Sequence, residues 1–110
     1  MSAQRFVVTL PVEFRRIGSD RWASGYTENM GSKGVLFRTG ECIEPESRIE
    51  MIFRMPLTAS CHVICTGTVL RVEPPSAPGL LPGIAATIED YEFLRPDRLK
   101  QNAVRETPIV

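Results

Sequence analysis

Phe6, Val8, Leu10, Val12 and Phe14 share one parity, and Thr9, Glu13 and Arg15 occupy the other. A period of two puts the first set on one face of a strand and the second on the opposite face. The same pattern returns along the chain. Residues 21–28 read as a second strand, with Trp22 and Tyr26 on one parity, and Val35–Arg38 as a short third. Ile49, Met51 and Phe53 alternate with Arg48, Glu50 and Arg54 in a fourth. A long fifth strand runs from Ala59 to Val72, with Cys61, Val63, Cys65 and Val69 on one face and Ile64, Leu70 and Val72 on the other. Residues 82–90 give a sixth, with Ile84, Ala86 and Ile88 inward. Turn signals separate them: Gly18-Ser19-Asp20, the stretch Asn29 to Gly34, Thr39-Gly40 to Pro45-Glu46, Pro56, and the proline-rich run Pro74 to Gly79.

Six short strands with such punctuation predict an all-β domain, a small antiparallel barrel or sandwich, and closure into a barrel would protect the strand edges. The tail changes character. Tyr91, Phe93, Leu94 and Leu99 suit one or two helical turns against the barrel mouth, with Pro96 and Asp97 in the first turn. The helical tail is expected over about residues 91–104, the barrel over about 5–90, and residues 105–110 are expected to be loose. At 110 residues a single domain is expected, since a second core does not fit.

Charge narrows the function classes. Thirteen basic and thirteen acidic side chains give zero net charge, which disfavours a dedicated DNA- or RNA-binding domain. No apolar run approaches the ~18–20 residues of a membrane span. The N-terminus has no signal-peptide pattern, so a cytoplasmic location is expected. The three cysteines, Cys42, Cys61 and Cys65, do not describe a disulfide scaffold. On a strand at ~3.3 Å per residue, Cys61 and Cys65 stand about 13 Å apart, too far to share a zinc or a disulfide. The single histidine, His62, falls on the opposite face with no local nucleophile–base partner. There is no phosphate-binding loop entering a helix, and Glu44, Glu46, Glu89 and Asp90 read as solvated edges. No catalytic residue, metal site or resident cofactor is therefore expected, and an enzyme is not.

One loop is more specific. Asn29-Met30-Gly31-Ser32-Lys33-Gly34-Val35-Leu36-Phe37 resembles the signature loop of PilZ domains, small bacterial β-barrels many of which bind cyclic di-GMP. That pattern is Asp or Asn, any residue, Ser, two of any kind, Gly, and then an apolar strand. Asn29 and Gly34 match its ends; Gly31 stands where the family usually has Ser, and Ser32 follows one position out of register. The second family motif is a pair of arginines four apart before the first strand. Arg5, 24 residues before Asn29, is similar to its second arginine, and the first position falls on Met1. Leu10-Pro11-Val12, Gly67 to Val72 and Gly83-Ile84-Ala85-Ala86 also look like PilZ domains, so the resemblance covers roughly residues 5–95.

The resemblance implies a six-stranded antiparallel barrel with a short C-terminal helix. It also implies a site for cyclic di-GMP made of Arg5, Asn29, Gly31, Ser32 and Gly34. Arginine suits that ligand because its planar fork bonds phosphate or guanine bidentately and stacks on the base. Asn29 offers guanine's N–H edge one acceptor oxygen. Replacing one arginine costs ~1–3 kcal/mol and one hydroxyl hydrogen bond ~0.5–1.5 kcal/mol, so together roughly one to three orders of magnitude in affinity. Two functions follow: a second-messenger receptor that regulates a protein partner or fused domain, and a protein-interaction module that has lost its ligand. The residues also have plainer readings. Arg5 is then a solvated chain-end arginine, Asn29 and Gly34 shape a turn, Lys33, Arg15 and Arg16 face water, and Trp22 packs.

Overall fold

A computed structural model describes residues 5–6, 9–55 and 61–94, with the backbone alone at 5–6, 61, 93 and 94. The described residues form eight strands: β1 (Arg5–Phe6), β2 (Pro11–Arg16), β3 (Ala23–Gly31), β4 (Gly34–Arg38), β5 (Arg48–Met55), β6 (Cys61–Glu73), β7 (Gly83–Thr87) and β8 (Asp90–Leu94). Every pairing is antiparallel. Six strands follow one another in the order β3-β2-β5-β6-β7-β4, and β4 pairs back onto β3. The sheet is thus a closed six-stranded barrel. β1 and β8 lie outside the ring, β1 along the end of β3 and β8 along β6.

The alternating residues fill the interior. Val12, Phe14, Phe37, Ile49, Met51, Phe53, Cys65, Val69, Ile84 and Ala86 are buried in one cluster. Phe14 and Phe37 meet near its centre, ring centroids 4.9 Å apart and tilted by 52°. Burial pushes the Cys65 thiol up to about 12, so this cysteine packs as a small hydrophobe and carries no thiolate at neutral pH. On the outer face Arg15 pairs with Glu50 at 2.8 Å, and its guanidinium lies 4.5 Å from the centroid of the Trp22 ring. Arg15 is therefore committed to its own surface.

Four details differ from the sequence expectations. The first strand is split: Phe6 belongs to β1, and β2 begins at Pro11, which has no N–H for a ladder. Between them Leu10 is tied to β3 by Thr27, which bonds it through both backbone N–H (2.9 Å) and side-chain Oγ1 (2.8 Å). The stretch expected as a loop from Asn29 is mostly strand, because Asn29 and Met30 pair with Leu36 and Val35. Only Ser32 and Lys33 form the tip. Gly31 and Gly34 are not among the described glycines at positive φ, which are Gly18 and Gly79.

The last difference is at the C-terminal end. Tyr91 to Leu94, expected to be helical, form β8, and the rest of the expected helix lies outside the described residues. The reason is an open edge. One side of β6 pairs with β5 throughout Cys61–Thr68, but β7 covers its other side only from Val69 to Glu73. β8 pairs with His62–Thr66 and covers what β7 leaves.

Glu89 staples the turn into β8. Its carboxylate accepts hydrogen bonds from Thr87 Oγ1 (2.7 Å), Thr68 Oγ1 (2.8 Å) and Arg48 Nη1 (2.6 Å). These donors, the Thr87 hydroxyl foremost, hold Glu89 below the usual glutamate range. A carboxylate depressed on folding stabilises the fold above its unfolded pKa, and that contribution is lost as pH falls through the folded value. The stability of Glu89→Gln is therefore expected to depend less steeply on pH below about 4.5 than that of the parent chain. Urea midpoints across pH 3–6 check this (roughly the carboxylate range); parallel curves for the two proteins would refute it.

Candidate functional site

Two β-bulges build a groove on the outer face of β3, β4, β7 and β6. In β3, Thr27 pairs with Phe37 and Asn29 with Leu36, so Glu28 is the extra residue. In β6, Val69 pairs with Ala86 and Arg71 with Ala85, so Leu70 is extra. Without the bulges Glu28 would face Leu36, and Leu70 would face Ala85. With them, Asn29, Leu36, Ala85 and Arg71 stand in one cross-strand row. Bulges commonly re-aim a side chain in this way.

The groove is about 550 Å3, within the range of small-molecule sites. Ala85, Gly31 and Gly34 keep it open because they bring little or no side chain. Leu36, Leu70 and Val35 supply apolar surface. Asn29, Lys33 and Arg71 supply polar and cationic groups, and Glu73 an acid. Arg38 bounds one flank: it donates to Glu28 Oε1 (2.7 Å) and to the Pro74 carbonyl (3.3 Å). Its guanidinium lies so close over Gly83 that a Cβ there would come within 2.7 Å of Nη1. At the other end the Lys33 carbonyl accepts from Ile88 N–H at 2.9 Å, which ties the hairpin tip to the end of β7.

The residues singled out in the sequence are distributed as follows. Asn29, Gly31 and Gly34 line the groove. Arg5 pairs with Gly31 across β1 and β3, so its backbone runs beside the motif. Ser32 stands at the tip and lines a separate apolar cavity of about 170 Å3, together with Met30, Phe53, Met55, Val63 and Tyr91. Met1 lies outside the described residues. Sequence reasoning missed Arg71 as a groove residue. Its parity is that of buried Cys65 and Val69, where an arginine is rarely buried without a partner, but parity alone does not reveal the bulge that turns it outward. Among the described residues no group of three His, Cys, Asp or Glu is placed to hold a metal ion. No helix among them is long and apolar enough to cross a membrane.

The family model described as the PilZ domain matches residues 1–98. The chain belongs to the PilZ family. PilZ domains are regulatory binding modules rather than enzymes, and the family is one of cyclic di-GMP receptors. Solved PilZ structures share the fold. The inhibitor of motility MotI/DgrA of Bacillus subtilis superposes with a TM-score of 0.68 at 13% identity, over 97% of this chain and 51% of that one. The chain thus spans about half the length of that protein. The PilZ domain of CeSA from a cellulose-synthesizing bacterium gives a TM-score of 0.59 at 13% identity, over 79% of this chain and 81% of that one. No curated protein matches the sequence significantly.

Proposed function

We propose that this PilZ domain is a cyclic di-GMP receptor, acting in the cytoplasm to regulate a protein partner or fused domain, with the ligand seated in the groove between the β3–β4 hairpin and β6. The observation that carries this reading is that the two bulges aim Asn29 and Arg71 into one row. Lys33 and the backbone of Arg5 stand beside that row. The ligand's two phosphates carry two negative charges, which suit Lys33 and the arginines. A guanine face can lie on Leu36, Leu70 and Ala85, and its N–H edge can donate to Asn29 Oδ1. Gly31 contributes no hydroxyl, so the site is weaker than one with the full motif. Arg5 precedes β2 and borders the hairpin, which suits an arm that closes over the ligand and alters what the domain contacts.

Isothermal titration with cyclic di-GMP tests this, with GTP as control. Saturable binding is expected for the parent chain and none for GTP. Arg5→Ala and Asn29→Ala are each expected to weaken binding, the arginine change by roughly 5- to 150-fold. An absence of heat at millimolar ligand would sink the receptor reading. A second reading is then favoured by exposed Leu70, Leu80 and Leu81, residues 50–55% accessible around the β6–β7 connection. On that reading the barrel docks onto a protein partner without any nucleotide.

A further inference from the structure

Arg71 does not meet the groove unaccompanied. Its Nε donates to Glu73 Oε2 at 2.9 Å, and Nη2 lies 2.6 Å from the same oxygen. One carboxylate oxygen therefore occupies the Nε–Nη2 edge of the guanidinium, an edge that can grip a phosphate or a guanine. Both residues line the groove. They are two apart on β6 beyond the Leu70 bulge, and Arg71 pairs with Ala85 and Glu73 with Gly83. The pair is poorly sheltered: the side chains are 61% and 28% accessible. An exposed pair of this kind adds little to fold stability. Its larger consequence is to place an anion where an anionic ligand would bind.

We infer that Glu73 is an internal competitor for Arg71, setting the affinity of the groove by holding the arginine edge that the ligand must take. This rests on the cyclic di-GMP reading and adds two residues to it: Arg71 as a ligand contact and Glu73 as the group that a phosphate displaces. No bond is made or broken; one ion pair exchanges for another. Glu73 also subtracts one charge from a groove whose other charged groups, Lys33 and Arg71, are cations. Removing its charge therefore frees the arginine edge and raises the local potential together.

The experiment is a titration of cyclic di-GMP into the parent chain, Glu73→Gln, Glu73→Asp, Arg71→Ala, the double variant Arg71→Ala/Glu73→Gln, and Asn29→Ala. Glu73→Gln is expected to bind roughly fivefold to tenfold more tightly than the parent, with unchanged melting, and Glu73→Asp to stay near the parent. The gain should shrink at half-molar salt, roughly, where charges beyond a few ångströms are screened. Arg71→Ala is expected to lose about tenfold, and Glu73→Gln should give little gain in that background. A gain that persists without Arg71 would overturn the competition and leave only a general charge effect. Asn29→Ala weakening the ligand while Arg71→Ala and Glu73→Gln do nothing would overturn the inference and leave the receptor reading intact. If no variant binds, Glu73→Gln included, both fall together. Binding by Glu73→Gln where the parent shows none would support the inference most directly.

Discussion

Gly67→Ala is expected to cost the domain ~3 kcal/mol or more. Gly67 is buried on β6, opposite Ile49 of β5, where β6 exchanges β8 for β7 as its neighbour. A Cβ there would overlap the backbone carbonyl oxygen of Thr87 and stand 3.1 Å from Met51 Cε. A side chain can rotate out of the way, but a carbonyl at the end of a paired strand cannot. β7 would have to lift from β6, and the Thr68 N–H bond to Thr87 Oγ1 (2.8 Å) would go with it. The entropic gain of replacing glycine, about 0.5–1 kcal/mol, is too small to offset this. Against a total of about 5–15 kcal/mol the change is severe. Gly40→Ala is the matched control, because the nearest atom to its added Cβ is Leu81 Cδ2 at 3.9 Å. Urea denaturation should show a large fall in midpoint for the first variant and almost none for the second. A Gly67→Ala chain within 0.5 kcal/mol of the parent (about the scatter of neutral surface changes) would mean that β7 does not press on β6 as described.

That close approach was invisible in the sequence, and the reason separates what alternation can reveal from what it cannot. Parity along one strand depends only on that strand. The inward set of Val12, Phe14, Ile49, Met51, Phe53, Ile84 and Ala86 was therefore legible from the residues and is buried as read. Features that depend on a partner's register were not. A bulge is a mismatch between two strands, so neither Glu28 nor Leu70 announces it alone, and the row that joins Asn29 to Arg71 could not be drawn in advance. β8 was read as helix because Tyr91, Phe93 and Leu94 were grouped with Pro96, Asp97 and Leu99 as helical turns, although Asp90-Tyr91-Glu92-Phe93 alternates as a strand does. The open edge of β6 supplies the partner that this strand-favouring segment needs. At the candidate site, the hairpin residues were found through a motif and Arg71 only through topology. Gly31 and Gly34 were expected as part of a turn and of the ligand site. In the barrel they matter because they leave the groove wall bare.

Phe37→Ala carries the second large effect, and it links the core to the groove. Phe37 is fully buried on β4, and its ring packs against Phe14. Truncating such a ring costs ~3–5 kcal/mol, from lost burial and from the cavity left where the barrel cannot collapse. Its neighbours along β4 point the other way: Leu36 lines the groove and Arg38 bounds it. Phe37→Ala should therefore lower stability without altering any group that would face a ligand. Leu36→Ala should weaken binding by removing apolar floor and, because Leu36 is itself buried, should also cost stability, ~2–5 kcal/mol. If cyclic di-GMP binds the folded barrel alone, it raises the stability of Phe37→Ala by mass action, about 2.7 kcal/mol at a hundredfold excess over Kd. The apparent affinity of this variant should fall only by the fraction of chains that remain folded. Thermal melts with and without ligand measure both quantities on one sample. A destabilised Phe37→Ala chain that the ligand raises as far as it raises the parent is the result expected of a site outside the core, as the outer face of β4 is. If Phe37→Ala instead loses affinity while still fully folded, the groove is not independent of the core, and the separation of β4 into an inner and an outer face fails as an account of this site.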